Sequence, residues 1–206
     1  MSVDIAVQRM DKTAPSDSLE ESLSLGPARA HFVFRDRRGN ADRPIKVHYS
    51  RPDNFSPSSP IIFLLPGMQR SASPYISMWA PHTDRVGALL LVPEFSRKRY
   101  PGSAHYNLGN MFSKEGVPNP RAQWSFMAIE HLFDAVRQAT GSVRPGYRIF
   151  GHSAGGQFVA RMALFVPDTR IELAISANAG WYTAPRYEEV FPYGLRDTML
   201  SSDDLH

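Results

Sequence analysis

The chain has 206 residues, 42% of them apolar and 21% charged, with a formal net charge of +3. That length suits one domain with a substantial core, and so small a net charge argues against a nucleic-acid-binding protein. With no cysteine, a disulfide framework, a thiol nucleophile and a cysteine-ligated zinc site are excluded, and the seven histidines show no H-x-x-x-H or similar ligand spacing, so no metal or other cofactor is expected.

Residues 1–25 carry Asp4, Arg9, Asp11, Lys12, Asp17, Glu20 and Glu21 and no apolar run of signal-peptide length. Residues 1–27 are therefore read as a disordered polar leader and 28–206 as a single domain. No later segment is long enough to span a bilayer, so a soluble, cytoplasmic protein with no membrane partner is expected. Residues 30–35 and 45–49 alternate apolar and polar around Arg38-Gly39-Asn40 and predict an antiparallel hairpin. The run Arg35-Asp36-Arg37-Arg38 at its turn is read as solvated charge.

The continuous apolar run 60–65 predicts a strand buried on both faces, ending at Pro66-Gly67. Residues 74–85 predict a helix carrying Ile76, Trp79 and Ala80, closed by Gly87, and 88–92 predict the next buried strand. Arg97-Lys98-Arg99 follows on the side of the sheet where ligands bind; it is either a solvated loop or an attractor of anionic substrate. Residues 101–121 are rich in Gly, Pro, Asn and aromatic side chains, a long loop of the kind that forms binding surfaces. Tyr106, Asn107, Met111 and Phe112 either line a substrate pocket there or clamp the loop upon itself. Phe126, Ile129, Phe133 and Val136 recur at helical spacing over 123–140, and Gly141 stops that helix. Strands are predicted at 147–150 and 171–177, with a buried helix over 156–165 between them. Alternating strands and helices from residue 61 onward predict an α/β domain: a mostly parallel sheet of about six strands, helices on both faces, and the hairpin at one edge.

Between the strand at 147–150 and the helix after it stands Gly151-His152-Ser153-Ala154-Gly155, a G-x-S-x-G pattern in strand–turn–helix context. Small neighbours suit a serine held at a strained backbone angle, so Ser153 is the candidate nucleophile. The following helix points free N–H groups at the place where negative charge develops. In enzymes built on such an elbow, one oxyanion donor is the N–H after the nucleophile and the second comes from the loop after an earlier strand. Those donors are Ala154 and Met68.

Leu65-Pro66-Gly67-Met68, Leu91-Val92-Pro93-Glu94-Phe95, residues 151–156 and Ala177-Asn178-Ala179-Gly180-Trp181-Tyr182 together resemble the α/β-hydrolase superfamily, in its esterase and polyhydroxyalkanoate-depolymerase-like branch. The likeness covers roughly residues 28–195, with Pro66-Gly67 where the commoner oxyanion loop has His-Gly. It implies a serine hydrolase acting on small-molecule carboxylic esters. It also implies an acid after a seventh strand and a histidine after an eighth. Neither strand is visible, and His206 is the one histidine downstream of Ser153. A terminal residue is poorly placed to act as a base, and His152 is expected to point away from the nucleophile. The chain is therefore read as a hydrolase domain lacking its C-terminal strands, weakly active or inactive, with a non-catalytic ligand- or partner-binding remnant as the alternative. Without a seventh strand, 171–177 is expected to be an apolar edge prone to self-association.

Overall fold

The computed structural model describes residues 25, 26 and 28–200. The expected leader falls almost wholly outside that range, as does His206. Leu25, at the end of the leader, is buried, and its carbonyl accepts a 2.6 Å bond from Arg51.

Six strands form one sheet. β1 (Ala28–Asp36) and β2 (Asn40–Arg51) make the hairpin; β3 (Ile61–Leu65), β4 (Leu89–Glu94), β5 (Tyr147–His152) and β6 (Ile171–Ala177) follow, with α1 (Ser73–Arg85), α2 (Ser125–Thr140) and α3 (Ala154–Phe165) between them. The strand order is β1-β2-β4-β3-β5-β6; β2 joins β4 antiparallel and all pairs from β4 to β6 are parallel. Side chains alternate across the central strands because successive residues point to opposite faces. Ile61, Phe63, Leu65, Leu89 and Leu91 face a large core with residues of α2 and α3. Leu64, Leu90 and Val92 face the other way, onto Ala72 and Ile76 beside α1. Helices thus cover both faces, and the elements lie within a few residues of their predicted positions.

α2 ends where Gly141 takes the left-handed conformation (φ 64°) and its N–H closes on the Arg137 carbonyl. Glu130 of α2 is buried and receives the Tyr147 hydroxyl (2.5 Å), the Arg170 N–H (3.1 Å) and Arg170 Nε (2.7 Å). This carboxylate joins the helix to the starts of β5 and β6. The charged run at the hairpin is not simply solvated. Asp36 turns inward, 2% exposed, and bonds His131 Nδ1 at 2.7 Å, while Arg38 reaches Asp134 at 2.7 Å. The hairpin is thereby fastened to α2.

β6 pairs only with β5 and ends the sheet. Leu173 and Ile175 on it are 48% and 45% exposed. Beyond it, the described residues contain no further strand, only an isolated bridge between Val190 and Arg196. Among the described residues no helix is long and apolar enough to cross a membrane.

Two histidines make stability depend on pH. His48 on β2 lies 3.3 Å from Glu94, but burial, with Lys46 adding to it, holds its pKa below the ordinary value. Burial and then Arg43 do the same for His105. Unfolded histidines take up a proton near pH ~6.5, where these two in the folded protein do not. Stability is therefore complete above about pH 6.5 and is lost as pH falls toward the folded values. Thermal melts from pH 8 to pH 5 should show a declining midpoint below that point, and His48→Gln should flatten part of the decline.

Candidate active site

Ser153 stands at the end of β5, with α3 starting at the next residue. Its backbone sits at φ 56°, ψ −117°, a region that costs a non-glycine residue about 1–3 kcal/mol. Two bonds impose it: the Ser153 N–H donates to the Ala177 carbonyl at 2.9 Å, and the Ser153 carbonyl accepts the Gln157 N–H at 3.0 Å. The turn is sharp because its glycines leave no room for a side chain. A Cβ on Gly151 would collide with the Gly155 carbonyl, and one on Gly155 would collide with the carbonyls of Leu65 and Pro66. The N-terminus of α3 is thus pressed against the end of β3. The serine stays half-buried, and among the described residues nothing hydrogen-bonds its Oγ.

The loop after β3 is held at nearly every polar group. Tyr106 Oη donates to the Pro66 carbonyl at 2.5 Å, and the Gly67 N–H donates to Tyr75 Oη at 3.1 Å. The Gly67 carbonyl accepts the Arg70 N–H at 2.8 Å, and the Met68 carbonyl accepts Arg97 Nη2 at 3.0 Å. Among the described residues, the one backbone group from Pro66 to Met68 without a hydrogen-bond partner is the Met68 N–H. The Ala154 N–H, in the first turn of α3, has no intrahelical acceptor either. The loop touches the nucleophile: the position of a Cβ on Gly67 lies 3.4 Å from Ser153 Cβ. Met68, next to Gly67, and Ala154, next to Ser153, thus each carry an N–H for which no hydrogen bond is seen among the described residues. The arrangement suits an oxyanion, since such donors need no reorganisation when charge develops.

His152 turns from the nucleophile toward α1, where its Nδ1 meets Tyr75 Oη at 3.0 Å. Tyr75 therefore links the oxyanion loop to the elbow, a role with no signal in the sequence. Arg70 is the second residue missed. Its φ is 58°, and its buried guanidinium donates to the carbonyls of Phe95, Tyr100 and Gly102, over the face of Tyr106 at 4.6 Å. It ties the oxyanion turn to the loop after β4. In that loop Arg97, Lys98 and Arg99 are exposed, and none forms an ion pair among the described residues.

Tyr106 and Asn107 are candidates for a pocket wall or for a clamp within their own loop. The structure places them in the interior. Tyr106 is 1% exposed, packed among Phe95, Phe158 and Arg70, with its hydroxyl on the Pro66 carbonyl; burial pushes its pKa up. Asn107 is 5% exposed and donates to Gln157 Oε1 at 2.6 Å. The correction has a physical reason: both polar ends find acceptors on the oxyanion loop and on α3, which outweighs exposing them. Met111 and Phe112 do line a cavity, of about 290 Å³, together with Leu108, Val190, Phe191 and Asp197. Among the described residues no cluster of histidine and carboxylate side chains is placed to hold a metal ion.

No protein-family model matches the chain, and no curated protein does. Solved structures do. The chain is similar to poly(aspartic acid) hydrolase-1 from Sphingomonas sp. KT-1, with 42% identity and a TM-score of 0.84 over 88% of this chain and 67% of that one. It is similar to a poly(3-hydroxybutyrate) depolymerase from Bordetella parapertussis, with 33% identity and a TM-score of 0.83 over 87% of this chain and 61% of that one. An acetyl xylan esterase from Aspergillus awamori, 12% identical with a TM-score of 0.57, shares the fold. The chain thus spans about two thirds of the length of the first two relatives.

The contact between α3 and β3 is testable by one methyl group. In Gly155→Ala the added Cβ meets backbone, not a flexible side chain, so the elbow must shift. Overpacking of this kind costs about 1–3 kcal/mol or more. Urea melts should show that loss, against a change below about 1 kcal/mol for a surface control such as Ser58→Ala.

Proposed function

Because this chain belongs to the α/β-hydrolase superfamily, alongside depolymerase-like and esterase hydrolases, we propose that it is a serine hydrolase of carboxylic esters with Ser153 as its nucleophile. The observation that carries this reading is the unpartnered Met68 N–H. Among the described residues it is the one backbone group without a partner in a loop otherwise pinned at Pro66, Gly67 and Met68, and that loop lies against Ser153.

Ser153 Oγ attacks the ester carbonyl carbon and its proton passes to a base. The carbonyl oxygen becomes an oxyanion held by the Met68 and Ala154 N–H groups. The alkoxide leaves with a proton, and water then releases the acyl group from Ser153. Tyr106, Tyr75, Arg70 and Arg97 are positioning residues: each fixes part of the loop that presents Met68. Among the described residues no base bonds Ser153 Oγ: His152 is engaged by Tyr75, and His105 Nδ1 meets Arg43 at 3.2 Å. The substrate is an ester, small or polymeric, in keeping with the polymer-cleaving relatives.

Slow turnover is the expectation if no further base reaches Ser153 Oγ. Turnover without a triad base is limited to roughly 10³–10⁴ over the uncatalysed rate. Incubation with p-nitrophenyl butyrate or a fluorophosphonate, followed by peptide mass spectrometry, should show slow acylation or phosphonylation at Ser153. Ser153→Ala should show none. Labelling elsewhere, or none after prolonged exposure, would sink the hydrolase reading in favour of a non-catalytic binding module, which the unpartnered Ser153 Oγ also suits.

The same domain self-associates through β6. Among the described residues its outer edge has no strand partner, and Leu173 and Ile175 stand exposed on it. Size-exclusion chromatography with light scattering should give a mass that rises with concentration, and Ile175→Lys should reduce that rise. A concentration-independent monomer in the parent chain would mean that the edge is covered.

A further inference from the structure

Arg161 is 1% exposed, the bulkiest side chain so deeply buried in this protein. It lies on α3 two turns beyond the candidate nucleophile. Gln157 and Arg161, four residues apart on α3, share a helix face, and the Gln157 N–H bonds the Ser153 carbonyl at 3.0 Å. At a rise of ~1.5 Å per residue the guanidinium's residue is about 12 Å along the axis from Ser153. Arg161 Nε donates to Thr183 Oγ1 at 2.9 Å; Nη1 donates to the Asn107 carbonyl at 3.0 Å and to Gln157 Oε1 at 3.3 Å. Nη2 is buried and has no acceptor among the described residues. Among the described residues no carboxylate pairs with it. Burial draws its pKa down to about 10, so the group remains charged at neutral pH.

A lone buried cation is unfavourable until a counter-charge reaches it. Arg70 is also buried, but both its terminal nitrogens are occupied by carbonyls. Arg161 alone leaves a terminal nitrogen open. Its cover is Trp181, whose ring centroid lies 5.6 Å from the guanidinium carbon. Trp181 is 39% exposed and belongs to the irregular segment after β6, which is not held in a sheet.

We propose that Arg161 is the recognition element of a carboxylate-binding subsite on α3, two turns beyond Ser153, with Trp181 as its displaceable cover. A carboxylate matches the site on three counts. It carries the single negative charge that one guanidinium neutralises. Its oxygen fits the one open N–H-bearing nitrogen, and its planar group packs beneath an aromatic ring. A phosphate dianion would leave surplus buried charge, and a neutral carbonyl would leave the cation uncompensated. Its use in catalysis rests on the hydrolase reading above: the carboxylate is a second acidic group of the acyl substrate, carried beyond the bond under attack.

The test uses the 206-residue chain bearing Ser153→Ala, which removes turnover. Titration with monomethyl succinate should give a saturable change in tryptophan emission and a rise in Tm; dimethyl succinate, which lacks the charge, should give neither. The emission change should vanish in Trp181→Phe while the Tm rise persists. Arg161→Met should abolish both responses. Arg161→Lys keeps the cation without the planar fork and should weaken the midpoint by about tenfold or more, which keeps the test decisive if the methionine variant does not fold. Equal responses to the two esters, no response to either, or an unchanged midpoint in Arg161→Lys would overturn the subsite. A carboxylate response that persists while Ser153 labelling fails would retain the subsite and remove its catalytic use. Labelling without a carboxylate response would remove the subsite alone.

Discussion

The approach of α3 to the end of β3 is the constraint on which the rest of the site depends. Gly155 lies so close to the carbonyls of Leu65 and Pro66 that no side chain fits between them. That contact sets the depth of the helix N-terminus and hence the position of the Ala154 N–H. It forces the chain to turn within one residue, which puts Ser153 into its unusual backbone conformation. It also brings the loop after β3 alongside the serine. The position of the candidate nucleophile and of the two proposed oxyanion donors thus follows from one packing contact between a helix end and a strand end.

The second layer is a set of side chains that hold this geometry without entering it. Tyr106, Tyr75 and Arg97 each hold one backbone group of the loop, and Arg70 caps the turn from beneath. Tyr106 stands on an aromatic cluster in which Phe158 meets Phe95, Phe126 and Tyr106 itself. Because Phe158 belongs to α3, the same helix that positions the serine supports the pillar that positions the loop. Rigid support of this kind lets a pair of N–H groups face a developing charge with little reorganisation.

Arg70 and Arg161 show how the interior tolerates cations. Each is buried without an acidic partner, and each relies on carbonyl or amide oxygens. The two join pieces of irregular chain to regular elements: Arg70 joins the loop after β4 to the oxyanion turn, and Arg161 joins the long loop and the segment after β6 to α3. Irregular chain presents carbonyls that no sheet or helix satisfies, and a guanidinium with several donors collects them economically.

Much of this was legible in the sequence. The apolar runs at 61–65 and 88–92, the helical spacing of Phe126, Ile129, Phe133 and Val136, and Gly141 as a stop all have local causes, so they appear in the structure with small shifts of boundary. The elbow was legible because its glycines are demanded by contacts within the motif and with the strand beside it. The sequence left Tyr106 and Asn107 open between pocket wall and clamp because an aromatic or amide side chain in a loop has no local signal for facing inward. Their partners, Pro66 and Gln157, lie 40 and 50 residues away. Asp36 turned inward for the same reason, its partner His131 being 95 residues distant. Residue order by itself determined the strand–helix alternation, the buried faces and the candidate nucleophile, since these follow from periodicity and from the steric needs of one short turn. Only the tertiary structure decided which polar groups are satisfied and which are left free, because long-range hydrogen bonds depend on distances between elements that no local pattern encodes.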